Sequence, residues 1–265
     1  MPTKNHTINY SIEHIAQSIV RDNPTWKKYG TDEKQKLYAE RLARLESSPE
    51  LKKIVSLDHL HSMPISWARA VARIAVLPTE IVVVDSRIQD MCALPYWTFY
   101  GSGEGCFGRC SGMGAFSCCP PFNMKAEKVR ERLDRADLFV VMQTQPSLLG
   151  ACEPGEQFQT INSLAGEVTA LLGEKAVIQK FGGGPCFGCY PESCEGNGTC
   201  STPHLKVPSL EGMGVCVDQL CKDAAVLTGD RGWIIKWIKG FSSPDQTPKK
   251  SKTTAGLAIS FDGSG

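Results

Sequence analysis

The fold class is decided by the stretch DLFVVMQ at residues 137–143, a short apolar run typical of a buried strand. The charged segment before it, residues 125–135, and the segment after it, residues 157–172, are both predicted as helices. Residues 174–181 are predicted as the next strand. Because strands alternate with helices here, we predict an α/β fold with a mixed or mostly parallel sheet.

Further elements are predicted on either side of this unit. The β-branched run at residues 80–85 and the segment 232–238 are predicted as strands, and residues 209–225 as a helix. Residues 255–261 are apolar enough for a last edge strand. Upstream, isoleucines spaced by three and four residues near the start predict a helix, and the segment 65–77 is predicted as the last of several helices there.

These patterns predict three regions along the chain. Residues 1–78 are expected to form an all-helical N-terminal segment, which is either a docking module or an added layer on the core. Residues 79–241 are expected to form a cysteine-rich α/β metal-binding domain. Residues 242–265 are expected to form a linker and the C-terminal edge strand.

Composition narrows the class of function. Among the 265 residues, 29 lysines and arginines nearly balance 28 acids, so the charge gives no case for binding nucleic acid or a membrane surface. The apolar runs are too short to span a bilayer, and we see no secretory signal, so we expect a cytoplasmic protein. Twelve cysteines in a reducing compartment indicate metal or redox chemistry rather than disulfides.

The stronger metal motif is the second cysteine-rich loop, residues 185–203, which has the spacing C-x2-C-x4-C-x5-C. Its four candidate ligands are Cys186, Cys189, Cys194 and Cys200. Four thiolates on a Gly- and Pro-rich backbone can converge on one centre, which suits a [4Fe–4S] cluster or an all-cysteine zinc site.

The first cysteine-rich loop, residues 91–121, contains three further candidate ligands, Cys106, Cys110 and Cys119. Cys92 and Cys118 are weaker candidates, because Cys92 is distant and Cys118 is adjacent to Cys119. A three-ligand site leaves one iron open, so we expect any direct chemistry at this loop. If the strands before the two loops are parallel, both loops lie at the edge of the sheet where ligands bind.

The cysteine motifs together resemble the domain-of-unknown-function family 2284, described as predicted metal-binding and common in anaerobic bacteria and archaea. The likeness extends over residues 80–261 and rests on the two cysteine loops and on the run PSLEGMGV at residues 208–215. It implies metal binding by the seven stronger candidates, Cys106, Cys110, Cys119, Cys186, Cys189, Cys194 and Cys200. The chain departs from the family pattern at Val207, where arginine is usual, and at Cys216, where an acid is usual.

Three functions are compatible with these motifs. The first is an iron–sulfur protein of anaerobic metabolism with one or two clusters, which passes electrons to a redox partner such as a ferredoxin or a reductase complex. The second is an enzyme whose open iron acts on a small substrate or a disulfide, and the third is a zinc-stabilised interaction module. Whether the chain is an enzyme stays open at this point. The basic segment 125–135 is either a solvated face or a docking surface for an acidic ferredoxin.

Overall fold

The computed structural model describes residues 12–94, 96–99, 105–108, 112–148, 155–173, 175–184, 186–189, 194, 199–235 and 250–261. The helices of this part are α1 (Ile12–Asp22), α2 (Pro24–Lys28), α3 (Thr31–Glu46), α4 (Pro49–Ile54), α5 (Leu57–Ser62), α6 (Ser66–Ala70), α7 (Ser86–Asp90), α8 (Ala126–Asp134), α9 (Glu156–Leu172) and α10 (Val217–Thr228). The strands are β1 (Val71–Leu77), β2 (Tyr96–Phe99), β3 (Gly105–Gly108), β4 (Leu138–Thr144), β5 (Ser147–Leu148), β6 (Val177–Phe181), β7 (Lys250–Ser251) and β8 (Thr254–Ser260).

The central sheet has four strands in the order β1-β4-β8-β6, and every neighbouring pair is antiparallel. The predicted α/β class is therefore confirmed, whereas the prediction of a mixed or mostly parallel sheet was wrong. Since β4 and β6 both run opposite to β8, they are parallel to each other, as the strand–helix–strand pattern predicts. The pattern failed because β8, from the far end of the chain, occupies the space between them.

Strand β8 is an interior strand and not the edge strand that we expected. It pairs with β4 from Leu138↔Ile259 to Gln143↔Thr254 and with β6 from Val177↔Ser260 to Phe181↔Gly256. All residues of β4 and β8 are buried. A strand that is covered on both faces reads as a continuous apolar run, which its sequence alone does not distinguish from a short edge strand.

Helices cover both faces of this sheet. Alternate side chains of β4 enter opposite layers, because successive residues of a strand point to opposite faces. Leu138 and Val140 pack with Trp67 and α9, whereas Phe139 and Val141 pack with α8 and α10. The result is a three-layer α/β/α arrangement.

The N-terminal helices are built onto this core. Residues of α4, α5 and α6 share an apolar cluster with β4, β8 and α9, and α3 is tied to α10 by an ion pair between Lys34 and Asp223. The packing agrees with an added layer on the core. The division of the chain at residues 78 and 241 remains a prediction.

Several predicted elements differ in the structure. The expected helix at 65–77 is split into α6 and β1, so the N-terminal segment is not all-helical. The expected strand at 80–85 is a 3-10 turn at Thr79–Ile81 followed by an isolated bridge between Val84 and Val215. A short β-branched run favours an extended backbone whether or not a neighbouring strand pairs with it. Here the segment is extended but has almost no strand partner.

The region after the second loop also differs. The expected helix at 209–225 begins only at Val217, after a 3-10 turn at Glu211–Met213. The expected strand at 232–238 starts as a 3-10 turn, Arg231–Trp233, and residues 236–238 lie outside the described part. None of the described helices is both long and apolar enough to cross a bilayer.

Candidate metal centre

The second loop is closed at its base by a short backbone pairing. It leaves the sheet after β6, and the chain returns to the same point at Ser209, which forms a parallel bridge with Gly182. The Gly182 amide donates to the Pro208 carbonyl at 2.7 Å, and the Leu210 amide donates to the Gly182 carbonyl at 2.8 Å. The two described ends of the loop are therefore held together where β6 ends.

The PSLEGMGV run connects this base to the first loop. The Ser209 hydroxyl oxygen accepts the Gly212 amide at 3.0 Å, which holds the 3-10 turn Glu211–Met213 against the base of the loop. The Gly212 carbonyl accepts hydrogen bonds from the side chains of Gln89 and Asn123. A Cβ atom on Gly212 would lie 2.6 Å from the Ser209 hydroxyl and 3.8 Å from the Cys118 carbonyl, so glycine allows this close approach.

Gly214 in the same run gives a prediction about stability. Its φ is +81°, and an added Cβ would lie 2.9 Å from the Asp85 carbonyl oxygen and 3.1 Å from the Ala126 Cβ. We expect Gly214→Ala to lower the free energy of unfolding by roughly 1–3 kcal/mol more than Gly229→Ala, because overpacking adds to backbone strain. Gly229 has a similar φ of +72° but open space around it. Equal denaturant midpoints for the two variants would contradict this expectation.

The described end of the first loop brings two buried cysteines against the second loop. Cys118 and Cys119 are 2% and 5% exposed. The Cys118 thiol hydrogen-bonds to those of Cys119 and Cys186. We call these three side chains, Cys118, Cys119 and Cys186, the thiol junction, since they unite sulfurs from both loops.

Without a bound metal, the surroundings of Cys118 and Cys186 disfavour the charged thiolate form of both side chains. The hydrogen bond with Cys119, together with burial, raises the pKa of Cys118 to about 12. The hydrogen bond with Cys118, together with burial, raises the pKa of Cys186. A bound metal ion would reverse this preference, because its positive charge stabilises the thiolate and a coordinating thiol loses its proton.

Backbone amides point at two sulfurs of the second loop. The Cys186 sulfur accepts the amides of Gly188 and Val207, each at 3.4 Å. The Cys194 sulfur accepts the Ser117 amide at 3.3 Å. Such N–H donors stabilise electron-rich sulfur and are the outer contacts that tune thiolate-bound metals.

The other two cysteines of the second loop are partly buried, like Cys186 and Cys194. The Cys189 sulfur is 3.6 Å from the Thr202 hydroxyl and 3.7 Å from the Ser201 hydroxyl.

The first loop is described only in part. Cys106 lies on β3, whose backbone pairs with β2 through Thr98, and its side chain is outside the described part. Cys110 also lies outside the described residues. Cys92 is buried in the 3-10 turn Met91–Ala93. The assignment of these three cysteines as ligands therefore stays a prediction.

The described residues contain no group of three or more Cys, His, Asp or Glu side chains arranged to hold a metal. The chemistry of the donors nevertheless fits a thiophilic metal. Cys118 of the first loop interacts with Cys186 of the second, and amide donors face the sulfurs of Cys186 and Cys194. Cys186, Cys189, Cys194 and Cys200 would hold such a group, with Cys118 and Cys119 beside them.

Two lysines near the loops are features that the cysteine spacing did not indicate. Lys206 donates to the Ser117 carbonyl at 3.0 Å, and Lys180 donates to the His204 carbonyl at 2.5 Å. Burial lowers the pKa of Lys180, while the charge of Cys186 acts in the opposite direction. Positive charge beside the thiol junction would offset the negative charge of bound thiolates.

Cys216 and Cys221 belong to the core, as expected for packing residues. They are 1% and 0% exposed, and burial raises the pKa of each to about 12. Cys221 lies on α10, and its sulfur is 3.4 Å from the amide nitrogen of Gln143 on β4. We therefore exclude both from the candidate ligands.

The basic helix α8 is largely neutralised by its own acids. Lys128 pairs with Glu131, and Arg130 pairs with Asp134. Arg130 also donates to the Val82 and Thr79 carbonyls, so part of its role is to hold the helix on the core. These contacts agree better with a solvated face than with a docking surface for an acidic partner.

Fold and site together define an α/β/α protein with a cysteine-lined loop pair suited to metal. The family model described as "Predicted metal-binding protein (DUF2284)" matches residues 75–228, more than half of the chain. The chain therefore belongs to this family, as its cysteine motifs indicated. No curated protein and no solved structure matches the chain.

Proposed function

We propose that this protein binds an iron–sulfur cluster between its two cysteine loops and transfers electrons to a redox partner. The observation that carries the proposal is the contact between the two loops, in which the Ser117 amide of the first loop donates to the Cys194 sulfur of the second at 3.3 Å, with Cys118 interacting with Cys186 beside it. A contact of this kind favours a centre built from both loops. A cytoplasmic location, a place in anaerobic metabolism, and a ferredoxin or reductase complex as partner are parts of the same proposal.

The proposed cluster takes four ligands from five candidates, which are the four cysteines of the second loop and Cys118, promoted from a weaker candidate by its contact with Cys186. Cys106, Cys110 and Cys119 remain the candidates for a second cluster. A bound cluster supplies one-electron redox chemistry. The chain's own contribution is to bury the sulfurs and to direct the amides of Ser117, Gly188 and Val207 at them.

Metal analysis tests this proposal directly. Protein prepared without exposure to air is expected to be brown and to contain iron and acid-labile sulfide in near-equal amounts, roughly four of each per cluster. Iron, sulfide and zinc are measured on the same sample, with protein exposed to air as a comparison. Stoichiometric zinc without sulfide in the anaerobic sample would replace the iron–sulfur proposal with a zinc-stabilised interaction module.

A second measurement addresses the enzyme alternative. If the first loop holds a cluster with an open iron, adding a small substrate or a disulfide should change the EPR signal of the reduced protein. A signal that stays unchanged across the compounds tested supports plain electron transfer.

A further inference from the structure

Ser117 connects the first loop to the second more extensively than any candidate ligand does among the contacts described above. It is 1% exposed, and its amide donates to the Cys194 sulfur at 3.3 Å. Its hydroxyl oxygen lies 3.4 Å from the same sulfur and donates to the Thr199 carbonyl at 2.7 Å. Its own carbonyl accepts the Lys206 ammonium group at 3.0 Å. Every polar atom of this residue is thus used to hold the segment from Cys194 to Lys206.

We infer that Ser117 is a positioning residue that fixes the Cys194 sulfur for metal binding. In this way the first loop would influence how the second loop binds metal, through Ser117, which is not itself a ligand. The inference rests on the proposed function, since it takes Cys194 as a ligand. It adds a role for a residue that the spacing of the cysteines does not indicate.

The chemistry of the two donors supports this role. A backbone N–H only donates, so it favours a sulfur with high electron density, as a metal-bound thiolate has. The hydroxyl donates its single proton to the Thr199 carbonyl and lies 3.4 Å from the neighbouring sulfur, a contact in which either atom could be the donor. Because Thr199 lies between Cys194 and Cys200, the same hydroxyl also restrains the backbone of the loop that contains both. Outer contacts of this type typically contribute about 10- to 100-fold to metal affinity.

The experiment is a double-mutant cycle with Co²⁺ as the probe. Four anaerobic metal-free proteins are titrated: the wild type, Ser117→Ala, Cys194→Ser and the double variant. The thiolate-to-cobalt absorption band reports both affinity and the number of sulfur ligands. We expect Ser117→Ala to weaken Co²⁺ binding by about 10- to 100-fold in the wild-type background and to have little further effect in the Cys194→Ser background.

Rescue provides the matched control. Ser117→Thr keeps the hydroxyl and is expected to bind Co²⁺ more tightly than Ser117→Ala, whereas Ser62→Ala removes an exposed hydroxyl of α5, which donates to the His59 carbonyl, and should leave affinity close to that of the wild type.

The outcomes separate this inference from the function on which it rests. Wild-type affinity in Ser117→Ala, or an equal loss of affinity with and without Cys194, would overturn the positioning role while leaving the metal site intact. A wild-type protein that takes up neither Co²⁺ nor iron would overturn the proposed function and this inference together. Coupling between Ser117 and Cys194, with unchanged circular dichroism in every variant, supports the inference.

Discussion

Replacing Cys186 with serine is expected to remove the metal bound between the two loops. Cys186 is the second-loop member of the thiol junction, and its sulfur also accepts two backbone amides. A serine oxygen is a poor ligand for iron held by thiolates, so we expect loss of one full cluster, roughly four irons per chain. Since metal-binding energy is also folding energy for such loops, the second loop should become more sensitive to protease.

Cys221→Ser is the matched control for this prediction. Cys221 is also a buried cysteine, but its sulfur contacts Gln143 and Thr254 of the central sheet, and neither is a cysteine of the loops. We expect it to keep the iron content of the wild type. Full iron content and unchanged protease resistance in Cys186→Ser would show that residues 186–200 do not form one metal site.

Replacing Lys34 with methionine is expected to destabilise the fold by about 3–5 kcal/mol at neutral pH. The Lys34 ammonium group lies 2.7 Å from the Asp223 carboxylate, and the two side chains are only 11% and 8% exposed. Loss of one partner leaves a buried charge without compensation. Denaturant unfolding in a reducing, anaerobic buffer measures the change in free energy.

The pH dependence of this variant tests the cause. Burial raises the pKa of Asp223 above its ordinary value of 3.8, while Lys34 acts to lower it. Removing Lys34 should raise it further, so the folded variant binds a proton at a pH where the unfolded chain does not. Stability lost at neutral pH should then be regained as the pH falls through the folded-state pKa of Asp223.

Lys52→Met serves as the control for the buried pair. Lys52 lies 2.6 Å from Glu46, but both side chains are exposed, at 51% and 60%. An exposed pair of this kind contributes less than about 1 kcal/mol. If Lys34→Met and Lys52→Met had similar unfolding midpoints, the Lys34–Asp223 pair would not connect the N-terminal layer to α10 as we describe.

The candidate site was predictable in its chemistry and only partly in its geometry. Cysteine identity and loop spacing were enough to predict a thiophilic metal site, and the chain belongs to a family described as predicted metal-binding. From the spacing we predicted a separate metal site in each loop, with Cys118 among the weaker candidates. The contact between Cys118 and Cys186 depends on where two distant loops meet, which local spacing does not report.

What the sequence by itself determined is that α8, β4, α9, β6 and β8 form as helices and strands, together with the cysteines that the loops offer as ligands. Only the tertiary structure decided that β8 inserts antiparallel between β4 and β6, that β1 arises from an expected helix, and that Ser117 faces Cys194. The physical reason is the separation, along the chain, of the residues that interact. Side-chain periodicity is set by neighbours a few residues apart, whereas strand order and loop contacts here join residues separated by roughly 70–120 positions and depend on the packing of the whole core.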